Sequence, residues 1–224
     1  MTLKKTLSII LLAGGKGSRL ASSIPKQFLT LGNKPIARYS LDIFLELPIP
    51  IEEIVVVCEE QYQPLFDNSL KELQFATPGE QRQFSVLNGF KALTKPTDFV
   101  MIHDIARPFI TQKDILVLFE EGSPVGAATL ATPVTSTIKQ ACLNHFVSST
   151  LPRESLWEIQ TPQLLKYSLL KEGLEKLIKE NLLVTDDVAL AELLNHPVKL
   201  VKGDPLNFKI TTTKDLLLAK AMTL

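Results

Sequence analysis

The 224-residue chain contains little cysteine and no excess of charge of either sign, and each shortage excludes a class of protein. The two cysteines, Cys58 and Cys142, lie far apart and form no C-x-x-C pair, which argues against a disulfide framework and against a zinc ribbon. Because 24 Lys and Arg residues balance 24 Asp and Glu residues, the chain lacks the broad positive surface of a general nucleic-acid or membrane-surface binder. A small anionic ligand held by a few local cations is still compatible with this composition.

Long apolar runs are also missing, and none approaches the roughly 20 residues that span a bilayer. An apolar segment at residues 7–13 follows Lys4 and Lys5, as in a short signal peptide, but glycines follow it in place of a small-residue cleavage site. We interpret this segment as a buried first strand that runs into a glycine-rich loop. We therefore expect a cytoplasmic protein whose partners include neither nucleic acid nor a membrane.

The N-terminal half alternates strand and helix patterns. Parallel strands that are covered on both faces lose their polar alternation, and three such apolar runs occur at residues 7–12, 54–58 and 99–103. Helical spacing of apolar residues follows at 81–93 and again at 115–119, where Thr111 is placed to cap the second helix. This alternation predicts a Rossmann-like α/β fold, with a mostly parallel sheet flanked by helices, in one domain of residues 1–224.

Residues 134–150 break this rhythm because they are dense in Thr and Ser. Two short strands are predicted there, at 138–143 and 145–147, around Asn144. The simplest interpretation is an inserted β-hairpin arm over residues 134–153, and the pattern alone is equally compatible with a surface flap and with a dimerisation arm. After the arm, helices are predicted at 164–179, 186–194 and 212–222, and strands at 198–201 and 208–210.

The loop after the first strand combines glycines with nearby cations. Gly14, Gly15 and Gly17 let the backbone approach a ligand closely, and exposed amides there form an anion-binding concavity. The G-x-x-x-x-G-K-[ST] spacing of a Walker A loop is absent from this segment. Arg19 and Lys26 add two positive charges beside the concavity, which suits charge neutralisation during transfer at a nucleoside triphosphate.

Several motifs together resemble one family of nucleotidyltransferases. The glycine loop at residues 12–20, with Pro25-Lys26-Gln27-Phe28, is similar to the signature of sugar and polyol nucleotidyltransferases. The remaining motifs of the resemblance occur in family order at residues 79–86, 103–108, 157–163, 185–187 and 207–211. The ordered set resembles the 2-C-methyl-D-erythritol 4-phosphate cytidylyltransferase family. This resemblance implies transfer of a cytidylyl group from CTP to that polyol phosphate, with release of pyrophosphate, in non-mevalonate isoprenoid synthesis.

The resemblance also implies roles for individual residues. Four cations are implied to stabilise the reacting phosphates: Arg19, Lys26, Arg153 and Lys209. The nucleotide is implied to contact Ala13, Gly14, Gly15, Gly79, Glu80 and Ser85. The polyol phosphate is implied to contact Asp104, Arg107, Thr137, Thr161 and Thr185. Asp104 is also the candidate ligand of Mg²⁺ or another divalent cation, and the arm is implied to embrace a second subunit, so that Arg153 reaches across a homodimer.

Several of these residues have other interpretations that the sequence leaves open. Asp104 can form an ion pair with Arg107, three residues further on. Thr161 and Thr185 can each cap the segment that follows. Lys209 can be a charged gatekeeper that protects a strand from aggregation.

The function has rivals as well. A ribitol-5-phosphate or other polyol-phosphate cytidylyltransferase shares several of the motifs, and a guanylyl- or uridylyltransferase shares the glycine loop. A nucleotide-binding module without turnover would keep the fold, although retention of cations for both reacting phosphates argues against it. Pro78 stands where the family usually has a second glycine before Gly79, which leaves the geometry of the loop that reads the base less defined.

Overall fold

The computed structural model describes residues 5–15, 24–67 and 71–223. Along these residues the strands are β1 (Leu7–Leu12), β2 (Thr30–Leu31), β3 (Lys34–Pro35), β4 (Ile51–Val57), β5 (Leu73–Ala76), β6 (Phe99–Asp104), β7 (Ala127–Pro133), β8 (Ile138–Ala141), β9 (Val147–Leu151), β10 (Trp157–Lys166) and β11 (Lys199–Lys202). The α-helices are α1 (Ile36–Leu45), α2 (Arg82–Lys91), α3 (Gln112–Gly122), α4 (Tyr167–Lys179), α5 (Ala189–Glu192) and α6 (Thr213–Met222). Short 3-10 helices occupy Lys26–Phe28, Glu60–Phe66 and Arg153–Ser155.

Seven of the strands form one sheet in the order β11-β7-β10-β6-β1-β4-β5. β10 runs antiparallel to both of its neighbours, and the other adjacent strands are parallel. The Rossmann-like, mostly parallel α/β fold predicted from the alternating patterns is therefore confirmed. The apolar runs form central strands because helices cover both faces of the sheet, which removes the polar alternation of a half-exposed strand.

The side chains of β1 alternate between two hydrophobic cores, one on each face of the sheet. Ile9 and Leu11 pack into the core that includes α1 and α3, whereas Ile10 packs into the core that includes α2 and α4. All three side chains are fully buried, and each stabilises the fold by about 1.5–3 kcal/mol. The helices pack over these two cores. Within the described ranges, none has the length and apolar character needed to cross a bilayer.

The parallel strands bring several loops together at one edge of the sheet. Leu12, at the end of β1, lies beside Val57 at the end of β4 and beside Asp104 at the end of β6. The segments that follow these strands therefore leave the sheet at the same edge. Open α/β sheets bind their ligands at this carboxyl edge.

Three elements predicted in the C-terminal third are wrong in type or extent. Residues 164–166 end β10 and do not begin a helix, because they pair with β6 and β7 and this pairing overrides local helical spacing. Residues 208–210 form no strand; the Ile210 N–H donates to the Ala106 carbonyl at 2.9 Å and holds the segment without a ladder. The helix predicted at 186–194 is limited to the single turn of α5.

The predicted hairpin is present as a separate two-stranded sheet of β8 and β9. Its second strand begins at Val147 and not at residue 145, because His145 has a positive φ of 63° and belongs to the turn. The hairpin leaves the main sheet after β7 and returns to it at β10. At its tip, Leu143 and Phe146 are 99% and 72% exposed.

Candidate active site

A cavity of about 810 Å³ opens at the carboxyl edge of the sheet. It lies between the glycine loop after β1, the segment before α2, the end of β6 and the segment before α6. This volume falls within the range of small-molecule sites. The cavity wall includes eight of the residues that the family resemblance implies: Gly14, Gly15, Lys26, Gly79, Glu80, Ser85, Asp104 and Lys209.

A buried glutamine holds the glycine loop in shape. Gln27 donates from Nε2 to the carbonyl oxygens of Ala13 (2.5 Å) and Gly15 (3.0 Å). Gln27 is only 2% exposed, so these hydrogen bonds form away from bulk water, where they are electrostatically stronger. Because the carbonyls on both sides of Gly14 point at one amide, the curvature of the loop is set at that residue.

Gly14 lies directly against the opposite wall of the cavity. A Cβ atom at Gly14 would lie 2.4 Å from Pro78 Cβ and 2.5 Å from Pro78 Cγ, which is far inside a normal carbon–carbon contact. Gly79 is equally confined, since a Cβ there would lie 2.4 Å from Phe84 Cβ. The proline that departs from the family pattern is therefore packed against the glycine loop, and only glycine fits opposite it.

Hydrogen bonds of the Ser85 hydroxyl hold the segment before α2 in a turn. The Gly79 N–H donates to Ser85 Oγ at 3.0 Å, and Ser85 Oγ in turn donates to the Gln81 carbonyl at 3.4 Å. Glu80 is exposed and faces the cavity at the outer side of this turn. A turn of this kind can present backbone groups and a hydroxyl to the polar edge of a base.

Asp104 lies in the cavity between two cations. Its Oδ1 accepts a hydrogen bond from Arg82 Nε at 3.1 Å, and its Oδ2 accepts one from Lys209 Nζ at 2.8 Å. Burial opposes ionisation, but the charges of Arg82, Lys209 and Arg107 prevail and hold the pKa of Asp104 well below its usual range. Asp104 is therefore a carboxylate at neutral and mildly acidic pH.

Arg82 also binds a second buried carboxylate. Its Nη1 and Nη2 donate to Asp187 Oδ1 at 2.5 Å and Oδ2 at 2.8 Å. Burial opposes the charge on Arg82, but Asp187 and Asp104 more than offset this and raise the pKa of the guanidinium. Burial raises the pKa of Asp187, and Arg82 opposes that rise. The bidentate contact joins the start of α2 to the segment before α5.

A chain of buried hydrogen bonds supports Asp104 from beneath. The Asp104 N–H donates to Thr161 Oγ1 at 3.0 Å, and Thr161 Oγ1 lies 3.1 Å from His103 Nδ1. Burial lowers the pKa of His103 to about 3, so the ring is neutral and carries one N–H. Since Ser40 Oγ donates to the Arg107 carbonyl at 3.0 Å, it must accept from His103 Nε2 at 3.3 Å. His103 Nδ1 is then the acceptor of the Thr161 hydroxyl proton.

Arg107 does not line the cavity. Its Nη1 donates to the Asn207 carbonyl at 2.8 Å, and Asn207 Nδ2 donates to the Thr161 carbonyl at 2.9 Å. The ion pair between Asp104 and Arg107 that the sequence leaves open is not among the salt bridges of the described residues. Arg107 instead braces the segment that carries Lys209.

Six residues implied by the resemblance do not line the cavity in the part of the chain that the structure describes. Ala13, Arg107 and Thr161 lie beside or beneath it and contact its wall through Gln27 and Asp104. Three others are exposed elsewhere on the surface: Thr137, Arg153 and Thr185. Arg19 lies outside the described residues, so the structure does not place it.

Sequence reasoning assigned no role in the site to Gln27, His103 or Asp187, although each belongs to one of the recognised motifs. Gln27 follows Lys26, His103 precedes Asp104, and both act on backbone or hydroxyl groups within the protein. Such contacts have no chemical signature in a sequence. Their place within these motifs is the signal that could have identified them.

The cavity wall carries three carboxylates, the buried Asp104 and the exposed Glu59 and Glu80. Within the described ranges, no three His, Cys, Asp or Glu side chains cluster closely enough to form a metal site. Mg²⁺ often binds through one or two carboxylates together with water and substrate phosphates. Asp104 fits this arrangement, because each of its oxygens accepts one hydrogen bond and can accept a further contact.

Known proteins resemble this chain over nearly its whole length. A sequence profile of the 2-C-methyl-D-erythritol 4-phosphate cytidylyltransferase family matches residues 7–223. The chloroplastic protein of that name from Oryza sativa subsp. japonica is 43% identical over 223 residues, which cover 98% of this chain and 75% of that protein. The protein of that name from Chlamydia pneumoniae is 41% identical over 215 residues, which cover 96% of this chain and 98% of that protein.

Solved structures show the same fold. The 4-diphosphocytidyl-2C-methyl-D-erythritol synthase from Anaerococcus prevotii DSM 20548 matches with a TM-score of 0.86 at 26% identity, over 97% of this chain and 98% of that chain. The 2-C-methyl-D-erythritol 4-phosphate cytidylyltransferase from Francisella tularensis matches with a TM-score of 0.84 at 29% identity, over 98% of this chain and 100% of that chain. The chain therefore belongs to the 2-C-methyl-D-erythritol 4-phosphate cytidylyltransferase family.

Proposed function

We propose that this protein transfers the cytidylyl group of CTP to 2-C-methyl-D-erythritol 4-phosphate, forming 4-diphosphocytidyl-2-C-methyl-D-erythritol and pyrophosphate. Family membership supports the reaction. Within the molecule, the observation that carries it is the Asp104–Lys209 pair, which shares one cavity with the glycine loop. Lys26 and Arg82 line the same cavity, so three separate segments of the chain supply cations to it.

The reaction that we propose is a direct phosphoryl transfer. An oxygen of the substrate's phosphate forms a bond to the α-phosphorus of CTP. The bond between that phosphorus and the oxygen that bridges to the β-phosphate breaks, and its electron pair leaves with pyrophosphate. The attacking phosphate is already anionic near neutral pH, so alignment and charge neutralisation are the main requirements. We assign the neutralisation to Arg19, Lys26 and Lys209.

We assign CTP to the two loops that face each other across the cavity. Gly14 and Gly15 have no side chain to keep the triphosphate from the backbone. The turn from Gly79 to Ser85, which includes Glu80, is proposed to contact the cytosine. Asp104 is proposed to hold Mg²⁺ or another divalent cation, which when bound would supply further positive charge to the phosphates. The support is that the cavity wall combines these groups with the buried carboxylate of Asp104.

We further propose a homodimer in which the hairpin of β8 and β9 contacts a second copy of the chain. The apolar tip residues Leu143 and Phe146 are exposed in one chain, and burial of such side chains favours association. Arg153, at the base of the hairpin, is exposed and donates from Nη1 to the Thr135 carbonyl at 2.9 Å. Thr137, Arg153 and Thr185 would then complete the polyol-phosphate site at the subunit interface.

Subunit complementation tests this shared site. Arg153→Ala and Lys26→Ala subunits are prepared separately, each inactive, and then mixed under conditions that allow subunits to exchange. If Arg153 serves the partner's site, mixed dimers hold one intact site and recover part of the activity. No recovery, with mixed dimers confirmed by differential tagging, would contradict the shared site.

A substrate panel tests the reaction itself. CTP, UTP, GTP and ATP are each combined with methylerythritol phosphate or ribitol phosphate in Mg²⁺, and pyrophosphate release is measured. We expect release with CTP and methylerythritol phosphate. Release with ribitol phosphate alone would favour a ribitol-5-phosphate cytidylyltransferase, and no release with any combination would favour a nucleotide-binding module.

A cytoplasmic location stays a prediction. Cys58 and Cys142 are both free thiols, which suits a reducing compartment. The rice relative is named as chloroplastic, so relatives of this chain differ in compartment. Fractionation of the source cell, with activity measured in each fraction, decides the matter.

A further inference from the structure

One guanidinium at the start of α2 joins the end of β6, which lines the cavity, to the segment before α5. Arg82 Nε donates to Asp104 Oδ1 at 3.1 Å, while Nη1 and Nη2 bind the two oxygens of Asp187 at 2.5 Å and 2.8 Å. The side chains of Asp104 and Asp187 are 10% and 3% exposed, so both carboxylates need compensation by protein cations. The Asp187 N–H donates to Gln163 Oε1 at 2.7 Å, which ties that end of the bridge to β10.

Because of the bridge, the two oxygens of Asp104 contact different cations. Because Arg82 occupies Oδ1, the oxygen that meets Lys209 Nζ is Oδ2, at 2.8 Å. A lysine ammonium has three N–H donors, so this single contact leaves two of them for ligands in the cavity. If Arg82 were absent, both oxygens of Asp104 could turn to Lys209 and hold its ammonium away from a ligand.

We propose that Arg82 is a positioning residue for the transfer reaction, acting through Asp104 on the place where Lys209 presents its charge. This inference rests on the proposed function, because it treats Lys209 as a cation of that reaction. The bridge requires the planar fork of arginine, which binds one carboxylate with two donors and still has Nε for another. A lysine at position 82 would keep the charge but would lack that geometry.

Two variants remove the bridge in different ways. Arg82→Lys keeps the positive charge. Arg82→Met combined with Asp187→Leu removes both members of the buried pair, so that neither charge is left unpaired and the fold is protected. Arg82→Met alone should lower the Tm more than the double substitution, because Asp187 then loses its cation. The matched control is Arg38→Met with Asp42→Leu, which removes a remote pair on α1 (Nη2–Oδ1, 2.9 Å). Asp42 also binds Lys34, but the Lys34 side chain is 35% exposed and stays hydrated in the control.

We expect kcat to fall about 100-fold in both bridge variants, because a displaced cation no longer meets the reacting phosphates. KM for CTP should change by no more than about threefold, since the loss arises in the transition state and not in ground-state binding. The control pair should keep kcat within about twofold of wild type. An unchanged kcat in a folded bridge variant would overturn the inference.

A double-mutant cycle with Lys209→Met separates positioning from a purely structural role. Transfer is measured in single-turnover experiments with radiolabelled nucleotide, which detect very slow rates. If Arg82 acts through Lys209, removing the bridge from a Lys209→Met variant lowers the transfer rate little further. If the two residues act independently, the fold-reductions in rate multiply, and that result would overturn the inference. The cycle uses whichever nucleotide and polyol phosphate the wild type turns over. A different substrate pair would therefore overturn the proposed function while the cycle still decides the role of Arg82.

Discussion

Replacement of His103 by asparagine should make the stability of the protein less dependent on pH between 7 and 5. His103 is 0% exposed, between Ser40 and Thr161, and burial lowers its pKa from 6.5 to about 3. The unfolded chain restores the ordinary pKa, so the unfolded state binds a proton that the folded state excludes. The stability contributed by the neutral ring is therefore fully present above about pH 6.5 and is lost as the pH falls toward 3.

The size of the effect follows from the two pKa values. Where the unfolded ring is protonated and the folded ring is not, the free energy of unfolding falls by about 1.4 kcal/mol per pH unit. Integrated from pH 7 to pH 5, His103 alone removes about 2 kcal/mol. Asp104 does not change the pH dependence of the free energy of unfolding between pH 7 and pH 5. Its pKa is lowered in the fold, so its contribution is present above about pH 4 and is lost only below that pH.

Urea unfolding of the wild type and His103→Asn at pH 7, 6 and 5 measures the effect at constant ionic strength. The variant should be about 1–3 kcal/mol less stable at pH 7, because buried hydrogen bonds are lost, but it should lose about 2 kcal/mol less on acidification. His145→Asn is the matched control, since that ring is exposed in the hairpin turn. Parallel pH profiles for wild type and His103→Asn would refute the assignment of a neutral buried ring.

Three further predictions concern the walls of the cavity. Gln27→Leu removes both bonds to the glycine loop and should raise KM for CTP about tenfold in steady-state kinetics; an unchanged KM would show that the loop keeps its shape without them. Gly14→Ala places a methyl 2.4 Å from Pro78 Cβ and should also raise KM for CTP, and Pro78→Gly in the same chain should restore it; failure of that rescue would contradict the contact. Thr161→Val leaves the Asp104 N–H without its acceptor and should cost about 1–3 kcal/mol in urea unfolding, whereas Thr161→Ser, which keeps the hydroxyl, should not; equal losses in the two variants would argue against the hydrogen bond.

Local patterns predicted β1, β4 and β6, in which most of the buried side chains are apolar, but they did not predict β7. β1 and β6 appear as continuous apolar runs because helices cover both faces of the sheet. β10 was missed because it carries Gln160, Thr161 and Gln163 at buried positions, where a local pattern suggests surface. Each of these polar side chains is satisfied by a residue distant along the chain, such as His103 for Thr161. Such long-range compensation is invisible to periodicity.

The residues of the site likewise fall into those that the sequence identified and those that it did not. The family resemblance identified Lys26, Asp104 and Lys209, which line one cavity, because motif order carries information about residues that face a ligand. It did not identify Asp187 as the partner of Arg82, since the two are separated by 105 residues and the contact depends on how α2 meets the segment before α5. Thr137 and Arg153 lie on the exposed hairpin, and their proposed role depends on a second subunit that one sequence does not describe.

The hairpin lies in the chain between β7 and β10, two interior strands of the main sheet. β7 and β10 are interior strands, with neighbours on both sides, so the hairpin is not attached to an edge strand. The same β10 carries Thr161, which holds the Asp104 N–H, and Gln163, which holds the Asp187 N–H. β10 therefore connects the base of the hairpin with both carboxylates that Arg82 bridges. The strand that follows the arm is thus also the strand that supports Asp104 from beneath the cavity.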